Sequence, residues 1–166
     1  SDGFVEAAEQ RGFFVTPVSQ EDLTEIANLR ILLECSALET SIANGDADWE
    51  GNLVAAHHKL QIIETKMQAG DADQIELWKR YDWEFHQALI QACNSHNLLS
   101  LHAIIYDKYL RYQVLVLTNR GDEAVAEHRE MFSAALARDP KTAVRVLEQH
   151  IRLGLEHTLA AMNTGT

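Results

Sequence analysis

Asp82 and His86 stand four residues apart in the run LWKRYDWEFHQALIQAC, residues 77–93. Leu77, Tyr81, Phe85, Leu89 and Cys93 recur there at every fourth position, which predicts one long helix. Residues i and i+4 of a helix share a face, about one turn apart. A carboxylate and an imidazole placed this way can hold one metal ion from the same side.

His128 and His150 form a second pair. Eleven residues lead from His128 to Asp139, and eleven more from Asp139 to His150. Asp139-Pro140 is a helix-start signal, with Asp at the cap and Pro at the first helical position. The histidines therefore flank a predicted turn evenly. In an antiparallel helical hairpin both would stand about 15 Å from it, at about 1.5 Å per residue.

If this hairpin packs on the 77–93 helix, Asp82, His86, His128 and His150 converge. Three neutral imidazoles and one carboxylate suit a divalent transition ion, zinc foremost, with nickel or manganese as alternatives. Coordination positions left open would take water or a small anion, most naturally an acid's carboxylate. The competing reading is a set of hydrogen-bonded core side chains. His57, His58, His96, His102 and His157 read as solvent-facing or structural.

Arg30 lies mid-helix among apolar residues. Either its stem packs on the core while the head pairs with Glu34 one turn on, or the guanidinium turns inward to grip a carboxylate. Tyr109 and Tyr112, with Arg111 and Gln113, offer further polar ends for an effector.

The elements that must position these groups are helical. Only 2 Pro and 8 Gly interrupt 166 residues, a length suited to one domain. Ser19 followed by Asp22 marks the first helix start, and Gly45 its end. Asp48 is the expected cap of a second helix that closes at Gly70. Asp71 or Asp73 opens the third. Asn97 caps the fourth, which runs to about Thr118. A fifth covers Glu123 to Ala137, and the last runs from Pro140 to about Met162. The expected architecture is an all-α antiparallel bundle of six helices, or seven, joined by short turns. Residues 1–18 read instead as a short β-hairpin and linker, with Phe4-Val5 and Phe13-Phe14-Val15 as strands.

Composition narrows the function. A net charge of −11 argues against DNA binding by this chain alone, because nucleic-acid affinity is driven by neutralising phosphates. No apolar run reaches the roughly 18 residues of a membrane span. Cys35 and Cys93 lack metal-site spacing and are expected as free thiols in a reducing cytoplasm.

Arg30-x-x-Leu33-Glu34, Asp82-x-x-x-His86, Glu127-His128 and His150-Ile151, taken in order, resemble the FCD effector domain of the FadR branch of GntR-type bacterial transcription regulators. HQALIQACNSHNLL and ALARDPKTAVRVLEQHI extend the resemblance over about residues 19–162. It implies an FCD domain over 19–166, preceded over 1–18 by the wing of a winged helix-turn-helix domain. It also implies Asp82, His86, His128 and His150 as metal ligands, Arg30 facing a small organic acid, and homodimers. DNA would be bound only through the winged-helix domain upstream.

The alternative is a metal-dependent hydrolase on the same bundle. It needs a general base, and the sequence neighbours Glu84 and Glu127 are expected on other faces of their helices. A dimerisation bundle without ligand is the third reading.

Overall fold

The computed structural model describes residues 19–115 and 120–164. Among them are six α-helices and one short 3-10 turn, with no strand. The all-α architecture follows the sequence expectation; the hairpin expected over residues 1–18 lies outside the described residues.

Helix α1 spans Gln20–Asn44. The Ser19 hydroxyl accepts from the Asp22 amide at 3.1 Å, one of the donors a helix start leaves free. Helix α2 spans Ala47–Gln68, and its cap is Asp46 rather than Asp48. The Asp46 carboxylate takes the Trp49 amide at 3.0 Å. The indole then closes over Gly45, where an added Cβ would lie 2.4 Å from the ring. Asp48 is left exposed within the first turn.

A 3-10 turn, Ala72–Gln74, leads into α3, Ile75–Ile90. Helix α4 covers His96–Leu115. Its first turn is capped by Ser95, whose hydroxyl accepts from the Leu98 amide at 3.2 Å. Asn97, the expected cap, lies inside that turn. The difference arises at Asn94, whose φ of 61° ends the preceding helical path early. Helix α5 is Asp122–Leu136 and α6 is Pro140–Thr164. Asp139 caps α6 through the Thr142 amide at 3.2 Å.

Helix α1 packs on α6, α4 and α3, α2 packs on α3 and α5, and α5 packs on α6. Leu38, Leu60, Phe85, Leu89, Met131 and Leu147 fill the space between them and are fully buried. Each such side chain contributes about 1.5–3 kcal/mol of transfer free energy. Cys93 is buried and Cys35 half-buried, both as free thiols. No helix among the described residues is long and apolar enough to cross a membrane.

Candidate metal and effector site

The α5–α6 hairpin brings His128 and His150 together, with ring centroids 4.7 Å apart. His86 on α3 joins them, 5.4 Å from each ring. One ring nitrogen from each of the three lies within 4.8 Å of the others, close enough for one ion to draw them together. Asp82 is not one of the three but lies beside two of them. Its Oδ1 is 3.5 Å from His128 Nε2 and 3.8 Å from His86 Nε2.

Each ring is oriented by a different glutamate. His86 Nδ1 donates to Glu34 at 2.7 Å, His128 Nδ1 to Glu64 at 2.8 Å, and His150 Nδ1 to Glu127 at 2.6 Å. An ionised carboxylate only accepts, so these bonds put the proton on Nδ1 and leave the Nε2 lone pair free. The Nε2 atoms of His86 and His128 are buried without a hydrogen-bond partner. Orphaned buried acceptors are costly, and histidine ligands held by a carboxylate behind are the usual outer shell of a metal site. Tyr106 donates to Asp82 Oδ2 and turns Oδ1 toward the rings. The donor set fits a divalent transition ion.

Burial disfavours charge on these rings. It is the main force pulling His86 below the ordinary histidine value. His150 falls to about 3, through burial and then the neighbouring His128 and His86. Burial acts on His128 too, but the hydrogen bond and charge of Glu64 overcome it and raise that ring. Burial would raise Asp82; the rings of His86 and His128 and the Tyr106 hydroxyl bring it below the usual carboxylate value instead.

A cavity of about 700 Å³ opens from this cluster, with Asp82, His128 and His150 in its wall. Arg30 and Tyr109 also line it. Both sequence accounts of Arg30 hold in part. It is 3% exposed and turned inward, and it still pairs with Glu34 at 2.9 Å. The guanidinium stacks 4.5 Å from the Tyr106 ring centre and 4.8 Å from that of Tyr109. Tyr109 donates to the Ile151 carbonyl at 3.2 Å, and a Cβ on Gly154 would lie 2.6 Å from its hydroxyl. Tyr112 is not brought to the cavity. Its hydroxyl donates to Asp22 at 2.7 Å near the start of α1, and Tyr112 is not among the residues lining the cavity.

Of the other histidines, His57 stacks on Phe132 at 4.1 Å and His102 is buried against Glu34 at 2.8 Å, both structural. His58 and His96 are exposed. His157 is exposed but lies on the cavity wall. Glu84 pairs outward with Arg80 and Lys59. Glu127 is held between Arg120 and His150.

Glu64, Tyr106 and Arg120 escaped the sequence reading. Glu64 follows Leu60 by four on an apolar stripe, and a carboxylate at such a position was the available signal.

Six helices around a histidine-lined cavity define an all-α bundle. The FCD domain model matches residues 25–153, and the chain belongs to the FCD family. It is 36% identical over 153 residues to the uncharacterized HTH-type transcriptional regulator BphR of Paraburkholderia xenovorans strain LB400, covering 91% of this chain and 62% of that protein. It is 28% identical over 155 residues to the HTH-type transcriptional repressor GlaR of Escherichia coli K12, covering 89% and 69%. The chain thus spans about two thirds of the length of these relatives. Among solved structures, the metal-free FCD domain of TM0439 superposes with a TM-score of 0.72 at 19% identity, over 90% of this chain and 99% of that one. A GntR-family regulator from Pseudomonas syringae pv. tomato DC3000 gives 0.70 at 22% identity, over 94% and 64%. These two share the fold.

Proposed function

We propose that this chain is the effector domain of a ligand-responsive transcription regulator of the FadR subfamily. Asp82, His86, His128 and His150 hold a divalent ion, zinc foremost and nickel or manganese otherwise. The ion would supply a Lewis-acidic anchor for the carboxylate of a small organic acid, beside which Arg30 and Tyr109 line the cavity. The observation that carries this reading is the pair of buried, partnerless Nε2 atoms, each on a ring whose Nδ1 is tied to a glutamate.

DNA is bound by a winged-helix domain that residues 1–18 would end, in the cytoplasm. The effector acts by its difference in affinity for DNA-competent and DNA-incompetent arrangements of a homodimer. Exposed apolar side chains favour pairing: Leu29 and Leu32 on α1, Leu101 and Ile104 on α4. These helices run antiparallel, with Glu34 beside His102 and Arg30 beside Tyr106. Exposed Glu25 on α1 is therefore level with exposed Arg111 on α4, a charge pattern a second copy could complement.

The test is elemental analysis and zinc titration calorimetry on the wild-type chain and on His128→Ala. One ion per chain, lost in the variant, is expected. Unchanged metal content in His128→Ala removes that residue from the site. The names of the relatives give the hydrolase alternative no support.

A further inference from the structure

We infer that the effector carries a single carboxylate on an apolar body, and that the cavity discriminates against dicarboxylates. This rests on the sensor reading above and concerns the cavity beyond the histidines.

Among the described residues, Arg30 and Arg120 are the cations other than histidine that line the cavity, and neither is uncommitted. Arg30 Nε holds Glu34 at 2.9 Å. Arg120 Nη1 holds Glu127 at 2.6 Å, and its second nitrogen reaches the same carboxylate and Glu123. A second carboxylate on the guest would have to compete with buried Glu34 at Arg30 or with half-buried Glu127 at Arg120.

The fixed charge points the same way. Four carboxylates line the cavity: Glu64, Asp71, Asp82 and Asp122. Against two guanidinium groups they leave an excess of two negative charges, which a divalent ion offsets. One anionic group then leaves the site one charge negative, and a second makes it two charges negative in a partly dry environment. Position matters as well. Asp82 is buried at the histidine end, whereas Asp71 and Asp122 are exposed at the open end. A guest anchored at the histidines would point its far carboxylate at the acidic mouth.

Between the two ends the wall is apolar, formed by Met67, Ile75, Trp78, Val114 and Val125. This lining rewards hydrocarbon. At about 700 Å³ there is room for a ring or a six-carbon chain.

The test compares matched acids on the zinc-loaded chain by titration calorimetry: hexanoate, hexanedioate and 3-phenylpropanoate. Hexanoate and phenylpropanoate are expected to bind at least tenfold more tightly than hexanedioate. The double variant Asp71→Asn/Asp122→Asn, which keeps hydrogen-bonding side chains at both positions, is expected to narrow the gap by strengthening hexanedioate. Hexanedioate binding as tightly as hexanoate in the wild type overturns the inference and leaves the sensor reading standing. So does a gap that the double variant leaves unchanged. If no acid binds while zinc stays at one per chain, the effector reading fails and this inference with it.

Discussion

Tyr106 on α4 donates its hydroxyl hydrogen to Asp82 Oδ2, and Asp82 Oδ1 thereby faces His86 and His128. The pair joins two helices and fixes which carboxylate oxygen is offered to the centre. Tyr106→Phe removes that bond and little volume. Zinc affinity is expected to fall about 10- to 100-fold, the usual cost of losing an outer-shell partner. Titration calorimetry on the folded variant checks it; wild-type affinity would mean that Asp82 is oriented by something else.

Glu34 meets Arg30, His86 and His102 at once and is fully buried. Its carboxyl is held well below the usual range: burial opposes this, and the charges of Arg30 and His86 prevail. Glu34→Gln keeps the shape and leaves Arg30 buried without a counter-charge. Breaking a buried pair costs about 3–5 kcal/mol. Thermal unfolding of the metal-free protein should show a larger loss for Glu34→Gln than for Glu64→Gln, whose carboxylate bonds His128 alone among the described rings. Equal losses would refute the hub role.

The metal-free protein should lose stability as pH falls below the ordinary histidine value of 6.5. His150, at about 3, and His86, also depressed, stay neutral when folded and charge when unfolded, so acid favours the unfolded chain. His128 is raised and acts oppositely: its contribution is present below 6.5 and fades as pH rises through its folded value. Below 4.5 a further loss sets in. Burial alone would raise Glu127, but hydrogen bonds from Arg120 and His150 hold it at about 2, and that stabilisation disappears as pH falls from 4.5 toward 2. Urea midpoints of chelator-treated protein between pH 8 and 3 report the curve (the range follows from these values). A midpoint that does not fall below pH 6.5 contradicts the assignment.

Gly154→Ala should damage the cavity without touching the histidines. Its Cβ would sit 2.6 Å from the Tyr109 hydroxyl, which lies on a buried ring stacked by Arg30. Tyr109 must give up its bond to Ile151. The expected result is unchanged zinc content with weakened acid binding, about tenfold for a displaced hydrogen-bonding wall. Acid affinity equal to wild type would show that Tyr109 does not shape the guest's seat.

Periodicity and turn chemistry made the bundle legible. Pro140, Gly45 and Ser19 placed helix ends to within a few residues, because caps are local chemistry. Equal spacing about Asp139 foretold that His128 and His150 would meet, since a hairpin's heights follow from counting. Caps at Asp46 and Ser95 were missed because adjacent Asp and Asn residues offer equally good oxygens, and only the path of the chain selects among them. The glutamates behind the rings were illegible for another reason. Glu34 and Glu64 lie 52 and 64 residues from the histidines they hold, and no local pattern encodes such a pairing. Tyr112 shared a helix with Tyr109, and their three-residue offset turned it toward α1's start.

The four orienting bonds run between helices. Glu34 of α1 holds His86 of α3, Glu64 of α2 holds His128 of α5, Tyr106 of α4 holds Asp82 of α3, and Glu127 of α5 holds His150 of α6. All six helices therefore end on the same few atoms, like spokes on a hub. Anything gripped there is gripped by the entire bundle. Slowed amide exchange on loading should accordingly spread to every helix, including α1 and α4.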